Sequence, residues 1–255
     1  NVLSGGEGED AIEVIGGINV VTGLAGNDTI DVTGAGNYID GGAGNDIIDI
    51  TGGLNVAIGG AGDDILHADG FGNNLDGGSG NDVLTSQGGG NTLVGGTGND
   101  ILVGGDSNET YVFNLRGGSD AIADLGGDDV LEIVGNPVNW ADLDIQATKG
   151  DDGSFLNLIF SEGDILLGDV TIDLSHGELI ETLRLGDGSE LNIQDIYDDA
   201  LEVSAVDIDA MSASLDAVLD GADGISETGE LVDEVFFETE TTGPDGLTPA
   251  NDTVV

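Results

Sequence analysis

The sequence predicts an all-β solenoid of short parallel strands, wound in coils of eighteen residues. Two observations predict it. First, one nine-residue pattern recurs: GGEGEDAIE from Gly5, GLAGNDTID from Gly23, GGAGNDIID from Gly41, GGAGDDILH from Gly59, GGSGNDVLT from Gly77 and GGTGNDILV from Gly95. Each copy starts eighteen residues after the last, with glycine at positions one and four, Asp at six and an aliphatic residue at eight. Second, intervening nonapeptides start at Val14, Val32, Ile50, Ala68, Ser86 and Gly104 and keep position eight apolar. Their position six is Asn19, Asn37, Asn55, Asn73 and Asn91. A fixed period of this kind dictates the fold, because each repeat buries its apolar face only against its neighbours.

Each position has a physical reason. Positions one to six read as a turn, where glycine tolerates positive φ and close backbone approach. Asp at position six offers oxygen to a hard cation, and Ca²⁺ takes six to eight oxygens in flexible geometry. Positions seven to nine are too short for a helix and suit a three-residue strand whose middle side chain points inward. The inward ladders are then Ile12, Ile30, Ile48, Leu66, Leu84 and Leu102 on one sheet, facing Val21, Ile39, Ala57, Leu75, Leu93 and Tyr111 on the other. Because Asp and Asn alternate every nine residues, Asp turns fall on one side of the coil and Asn turns on the other.

The pattern GGxGxDxUx resembles the RTX, or haemolysin-type, calcium-binding repeat, and the resemblance covers roughly residues 1–124. It implies a right-handed parallel β-roll with Ca²⁺ between successive turns of one side. Carried over residue by residue, the implied ligands are Asp10, Asp28, Asp46, Asp64, Asp82 and Asp100. Turn carbonyls would assist, from the turns bearing Gly5, Gly8, Gly23, Gly26, Gly41, Gly44, Gly59, Gly62, Gly77, Gly80, Gly95 and Gly98. Six stacked turns make five gaps, so at least five ions are expected in single file on the Asp side. A neutral amide binds Ca²⁺ less well, so the Asn side is expected to be mostly metal-free, its side chains stacked as a hydrogen-bonded ladder.

Composition narrows the partners. The chain has 255 residues, 51 acidic and 3 basic, for a formal charge of −48, with no Lys or Arg in residues 1–112. Five calcium ions would add ten positive charges to −48 and leave −38, so metal explains part of the acidity. The remainder argues for a solvated surface in salty water and against nucleic acid or anionic membrane, since phosphate binding needs Lys and Arg. Cysteine is absent, and no run long enough to span a membrane is present.

Along the chain, Asn1–Ser4 read as positions six to nine of a preceding turn. Tyr111 and Phe113 bring bulk suited to capping the roll. GGSDAIADLGGDDVLEI (117–133) resembles the segment that closes such rolls, which makes Asp120 and Asp124 candidate ligands of a further calcium, with Glu109 beside them. From 128 to 196 the period is lost. Alternating runs at Phe155–Phe160, Asp164–Leu167, Asp169–Leu174, Leu179–Leu185 and Glu190–Ile193 read as strands, with a tight turn at Asp187-Gly188-Ser189. LIETLRLGDGSELNIQDI is similar to a haemolysin-type-related domain, which implies a β-rich capping module over 125–200. In 201–255, Val206, Ile208, Met211, Leu215 and Leu219 recur at mostly helical spacing, so a short helix is expected, followed by an acidic linker or secretion signal.

No enzymatic chemistry is legible. His67 and His176 form no HExxH motif, and GxSxG elbows and P-loops are absent. The residues therefore point to a calcium-dependent structural or adhesive module of a secreted bacterial RTX protein. The alternatives are the non-catalytic tail of a secreted protease, lipase or polysaccharide epimerase, and, more remotely, an ice- or carbohydrate-binding face. Asn251-Asp-Thr-Val-Val255 has the register of positions five to nine, so a neighbouring module or a second copy docking head-to-tail is a further expectation.

Overall fold

A computed structural model describes residues 1–135, 140–175 and 179–203. The expected helix over 205–220, the tail to Val255, its final repeat-like strand and His176 lie outside the described residues.

The repeats alternate between two sheets. In chain order they form β1 (Val2–Glu7), β2 (Ala11–Ile15), β3 (Val20–Ala25), β4 (Thr29–Thr33), β5 (Tyr38–Ala43) and β6 (Ile47–Thr51). Next come β7 (Val56–Ala61), β8 (Ile65–Asp69), β9 (Asn74–Ser79), β10 (Val83–Gln87), β11 (Thr92–Thr97) and β12 (Ile101–Val103). The remainder is β13 (Thr110–Asn114), β14 (Ser119–Ala123), β15 (Val130–Val134), β16 (Leu143–Gly150), β17 (Phe155–Glu162), β18 (Ile165–Asp173), β19 (Thr182–Leu185), β20 (Glu190–Asn192), α1 (Ile193–Asp199) and β21 (Leu201–Val203). One sheet runs β1-β3-β5-β7-β9-β11-β13-β15-β19-β20, the other β2-β4-β6-β8-β10-β12-β14-β18-β17-β16-β21. Pairing is parallel from β1 to β19 in the first and from β2 to β18 in the second. The fold is a parallel β-roll.

Except for β12, the repeat strands are longer than the expected three residues, because they run on into the next nonapeptide. In β5, positions seven to nine (Tyr38, Ile39, Asp40) continue through positions one to three (Gly41, Gly42, Ala43). The turn proper is therefore positions four to six in the Asp nonapeptides and three to six in the Asn nonapeptides. The longer strand adds an inward column that the repeat pattern hides, position one of the Asn nonapeptides: Val14, Val32, Ile50, Ala68 and Ser86 are all buried. Both expected ladders are buried as well, except Ile12, which is half-buried in the first coil.

Coiling also continues past residue 124. The repeat slips from eighteen to twenty residues, pairing Tyr111 with Leu131 and Leu102 with Ile122, and β19 then adds one more parallel strand. Nine parallel strands stack in the first sheet, which at ~4.8 Å per strand makes the roll about 38 Å long. Tyr111 and Phe113 consequently do not close an end. Both are fully buried, and Phe113 stacks on Phe160 of β17 at 5.5 Å between ring centroids. Position one shrinks from Ile50 through Ala68 and Ser86 to Gly104, where a Cβ would collide with the Tyr111 hydroxyl, so the column tapers as the aromatics enter.

The segment after 135 grows from the sheets themselves. The antiparallel run β18-β17-β16 extends the second sheet, and β19-β20 closes the first around the expected turn, where Asp187 accepts from the Ser189 backbone N–H. One helix was not foreseen. Asn192 ends β20 and caps α1, its side chain accepting from the Asp195 backbone N–H, so the chain reverses one residue before the expected strand would end.

Candidate metal centres

The Asp turns form one edge of the roll and the Asn turns the opposite edge, and each edge is held by its own ladder. On the Asp edge the backbone N–H of each Asp donates to Oδ1 of the next. Asp10 donates to Asp28, Asp28 to Asp46, Asp46 to Asp64, Asp64 to Asp82 and Asp82 to Asp100, at 2.7–2.9 Å. Asp100 passes the ladder on to Asp120. On the Asn edge the same backbone bonds link Asn19, Asn37, Asn55, Asn73 and Asn91. The amide nitrogens of Asn19, Asn37 and Asn55 add a second bond to the next Oδ1.

The edges differ in what remains unpaired. Oδ2 of Asp28, Asp46, Asp64, Asp82 and Asp100 is buried without a hydrogen-bond partner. A buried carboxylate oxygen is costly unless a donor or cation meets it. Position-one glycine makes room for it: a Cβ on Gly41 would lie 2.4 Å from Asp46 Oδ2 and 2.6 Å from the Gly59 carbonyl oxygen. Gly5, Gly23 and Gly59 repeat that convergence, and Gly77 and Gly95 meet their own Asp Oδ2 in the same way. Oxygens of adjacent coils thus face one small gap, the donor set a hard cation takes. Glycine at position four serves the backbone instead: Gly44 and Gly62 have φ of 125° and 130°, and a Cβ on Gly62 would strike the Gly44 carbonyl.

Electrostatics agree with the geometry. Desolvation pushes Asp64 and Asp82 up to about 7 and Asp100 to about 6, against the pull of the N–H bond each accepts. Desolvation, then the charge of Asp100, raises Asp120 to about 8. Protonation or a cation relieves the same strain.

A second acidic group closes the Asn edge. Oxygens of Glu109, Asp124 and Asp129 lie within 4.8 Å of one another, all buried. Glu109 is 2% exposed and neither of its carboxylate oxygens has a hydrogen-bond partner. Desolvation, then the charges of Asp124 and Asp129, raises it to about 8. Asp124 accepts from the Tyr111 hydroxyl and from the Gly126 N–H. The structure thus separates Asp120 and Asp124, expected to serve one site: they lie at opposite ends of β14, Asp120 ending the Asp ladder and Asp124 joining Glu109. Asp129 and Glu181 were not foreseen. They continue the position-six series, since the Glu109 N–H donates to Asp129 and the Asp129 N–H to Glu181. Replacing Glu109 with Gln is expected to lower the number of calcium ions bound by one in equilibrium dialysis. An unchanged count would remove this group from the metal sites.

Residues 15–48, 49–84, 58–93, 67–102 and 85–114 match the RTX calcium-binding nonapeptide repeat. Residues 15–114 are therefore RTX calcium-binding repeats, a Ca²⁺-binding region that is folded here as a β-roll. Among solved structures it is similar to the extracellular lipase LipA from Serratia marcescens, at 23% identity and a TM-score of 0.34. That match covers 70% of this chain and 39% of the lipase, so the chain spans about two-fifths of the lipase's length. No curated protein matches. Among the described residues no helix is long and apolar enough to cross a membrane.

Proposed function

We propose that this chain is a calcium-folded structural and adhesive module of a secreted bacterial protein, with a repeat region over 1–124 and a β-rich module over 125–200 whose β15, β18 and β19 prolong the roll's parallel sheets. The observation that carries the reading is the file of buried, unpartnered Oδ2 atoms from Asp28 to Asp100, each beside its position-one glycine. Proposed ligands are Asp10, Asp28, Asp46, Asp64, Asp82 and Asp100 with the carbonyls of their glycine turns, and separately Glu109, Asp124 and Asp129. Millimolar extracellular calcium suits oxygen sites of this kind, and cytosolic calcium does not. Export followed by folding outside the cell is consistent with that difference.

The adhesive part rests on the Asn edge. Across its turns, residues 15–19, 33–37, 51–55, 69–73 and 87–91, the single charged side chain is Asp69, in a chain of formal charge −48. Ile18 (83% exposed), Leu54 (61%) and Phe71 (64%) stand out from it. Ile18 and Leu54 hold φ of 61°, where Gly36, Gly72 and Gly90 occupy the same position five of neighbouring turns. A large side chain in this conformation costs about 1–2 kcal/mol, a strain that folding gains nothing from. We assign the edge to contact with an uncharged surface. Replacing Ile18 and Leu54 with Gly should stabilise the roll by about 0.5–1 kcal/mol at each site and weaken adsorption to an apolar, uncharged surface. Adsorption that survives in the folded double variant would rule the edge out.

Asn251-Asp-Thr-Val-Val255 repeats the residue pattern of positions five to nine, which supports docking of that strand against a neighbouring module or a second copy. Light scattering in calcium, with and without residues 249–255, should show larger particles for the full chain if copies associate through that strand. Equal sizes would leave only the neighbouring-module reading.

A further inference from the structure

On the Asn edge, position one shrinks along the roll and then changes chemistry. It reads Val14, Val32, Ile50, Ala68, Ser86, Gly104 and, after the slip in period, Asp124. The last two fit each other. A Cβ on Gly104 would lie 2.5 Å from Asp124 Oδ1, so the carboxylate of one coil takes the room that glycine leaves in the coil before. Asp124 is wholly buried there, and the Tyr111 hydroxyl and the Gly126 N–H both donate to it. Position six changes at the same level, from the amides of Asn73 and Asn91 to the carboxylates of Glu109 and Asp129. Three carboxylates therefore meet in a single gap. Glu109 is 2% exposed, and neither of its oxygens has a hydrogen-bond partner.

We propose that this group is a cation site of a different kind from the Asp file: it takes its ion at least tenfold more tightly, fills first as calcium rises, and exchanges first for a trivalent ion. The proposal rests on the reading of Glu109, Asp124 and Asp129 as metal ligands given above. Charge is the first reason. Asp10 to Asp100 supply six carboxylates to five gaps, because each is shared between the gaps on either side. Here three carboxylates serve one gap, and Glu181 stands beside them, its Oε2 accepting from the Asp129 N–H. Oxygen sites gain affinity with ligand charge and with rigidity, and all three side chains are buried. Neighbouring ions are the second reason. In the Asp file they stand one strand spacing apart, about 4.8 Å, and repel one another. On the side of the regular coils this group has no such neighbour, because Asn91 presents an amide whose nitrogen donates to the Gly88 carbonyl. Position in the chain gives the site its consequence. Glu109 leads into β13, Asp124 leaves β14, Asp129 leads into β15, and Glu181 leads into β19. An ion held there ties the last regular coil to the module that follows, at calcium levels too low to fill the Asp file.

Equilibrium dialysis of the full chain against graded free calcium tests the order. One ion is expected to bind at free calcium at least tenfold below the midpoint for the others. Glu109→Gln should remove that first step and keep the later ions, whereas Asp46→Asn should take ions from the later step and keep the first. A single step in the unmodified chain, or loss from the later step alone in Glu109→Gln, would overturn the order while leaving the ligands in place. A full count in Glu109→Gln would overturn the ligand reading as well. Tyr111 gives a second measurement that needs no ligand variant, since its hydroxyl bonds Asp124, whereas Tyr38 is on the outer face of β5 and Tyr197 in α1. Terbium added to the calcium-loaded chain should gain most of its tyrosine-excited emission with the first equivalent, and Tyr111→Phe should lose that emission. Emission that rises evenly over all equivalents, or that persists in Tyr111→Phe, rejects the proposal.

Discussion

Chelating calcium with EGTA at pH 8 is expected to abolish the β-sheet circular dichroism of the roll, and acidifying the same sample to about pH 4.5 is expected to restore part of it. The first effect is large because the sites are many. One site with calcium at about a hundredfold its Kd stabilises by about 2.7 kcal/mol. Five such gaps on the Asp edge amount to about 13 kcal/mol, comparable with the whole stability of an ordinary domain of ~5–15 kcal/mol. The second effect follows from the raised carboxyls. Asp64 and Asp82 reach about 7, Asp100 about 6 and Asp120 about 8 in the fold, all from a value of 3.8. Between pH 4 and 7 the folded chain therefore holds more protons than the unfolded one, and stability without calcium falls as pH rises through that window. Below about pH 4 both states are protonated and the penalty is gone. Full β signal in EGTA at pH 8 and low salt would refute the coupling. In saturating calcium the direction reverses, because protons compete with the ion for the same oxygens, and acid should weaken binding.

Substitutions at the third Asp turn should separate ladder from metal. Asp46 accepts from the Asp28 N–H and donates its own N–H to Asp64, both at 2.7 Å, so it borders two gaps. Asp46→Ala removes the acceptor and the ligand together. It is expected to lower bound calcium by two, with about 1–3 kcal/mol of further loss from the orphaned Asp28 N–H. Asp46→Asn should keep the ladder, since Asn37, Asn55 and Asn73 make that bond on the opposite edge. It should lose the same calcium but melt above the Ala variant. Gly41→Ala should mimic the metal loss with Asp46 untouched, because the added methyl takes the space of Asp46 Oδ2. Calorimetric stoichiometry and thermal midpoints in calcium read all three. An Asn variant that binds the full number of ions would place the metal elsewhere.

The division into edges was legible because alternation of Asp and Asn every nine residues leaves no other arrangement for a coil of eighteen. The position-eight ladders were legible for the same reason. Strand length was not, because Gly41-Gly42 reads as turn until it is seen that position one must be small for the carboxylate folded against it, and not for a turn. The later coils were hidden by slippage. Asp120 with Ile122, Asp129 with Leu131 and Glu181 with Leu183 all keep the offset between positions six and eight. A two-residue insertion and then the β16–β17 excursion break the count that revealed the earlier copies. That offset, followed without a fixed period, would have found Asp129 and Glu181. The strain at Ile18 and Leu54 had no sequence signal beyond glycine at the same place in neighbouring turns.

Both nonapeptides point position eight inward, but the column at position one tells them apart, since it is Val14, Val32, Ile50, Ala68 and Ser86 in the Asn copies and glycine in the Asp copies. The two edges tell them apart as well. Inserting nine residues would keep the position-eight ladders in phase while exchanging the position-one column and the edges beyond the insertion, setting an amide above each carboxylate and breaking the metal file. Inserting eighteen would preserve everything. The chain can therefore lengthen or shorten only by whole coils, in increments of about 4.8 Å. Its reach is quantised by the chemistry of one edge and by the position-one column beside it, although the position-eight ladders alone would have permitted half steps.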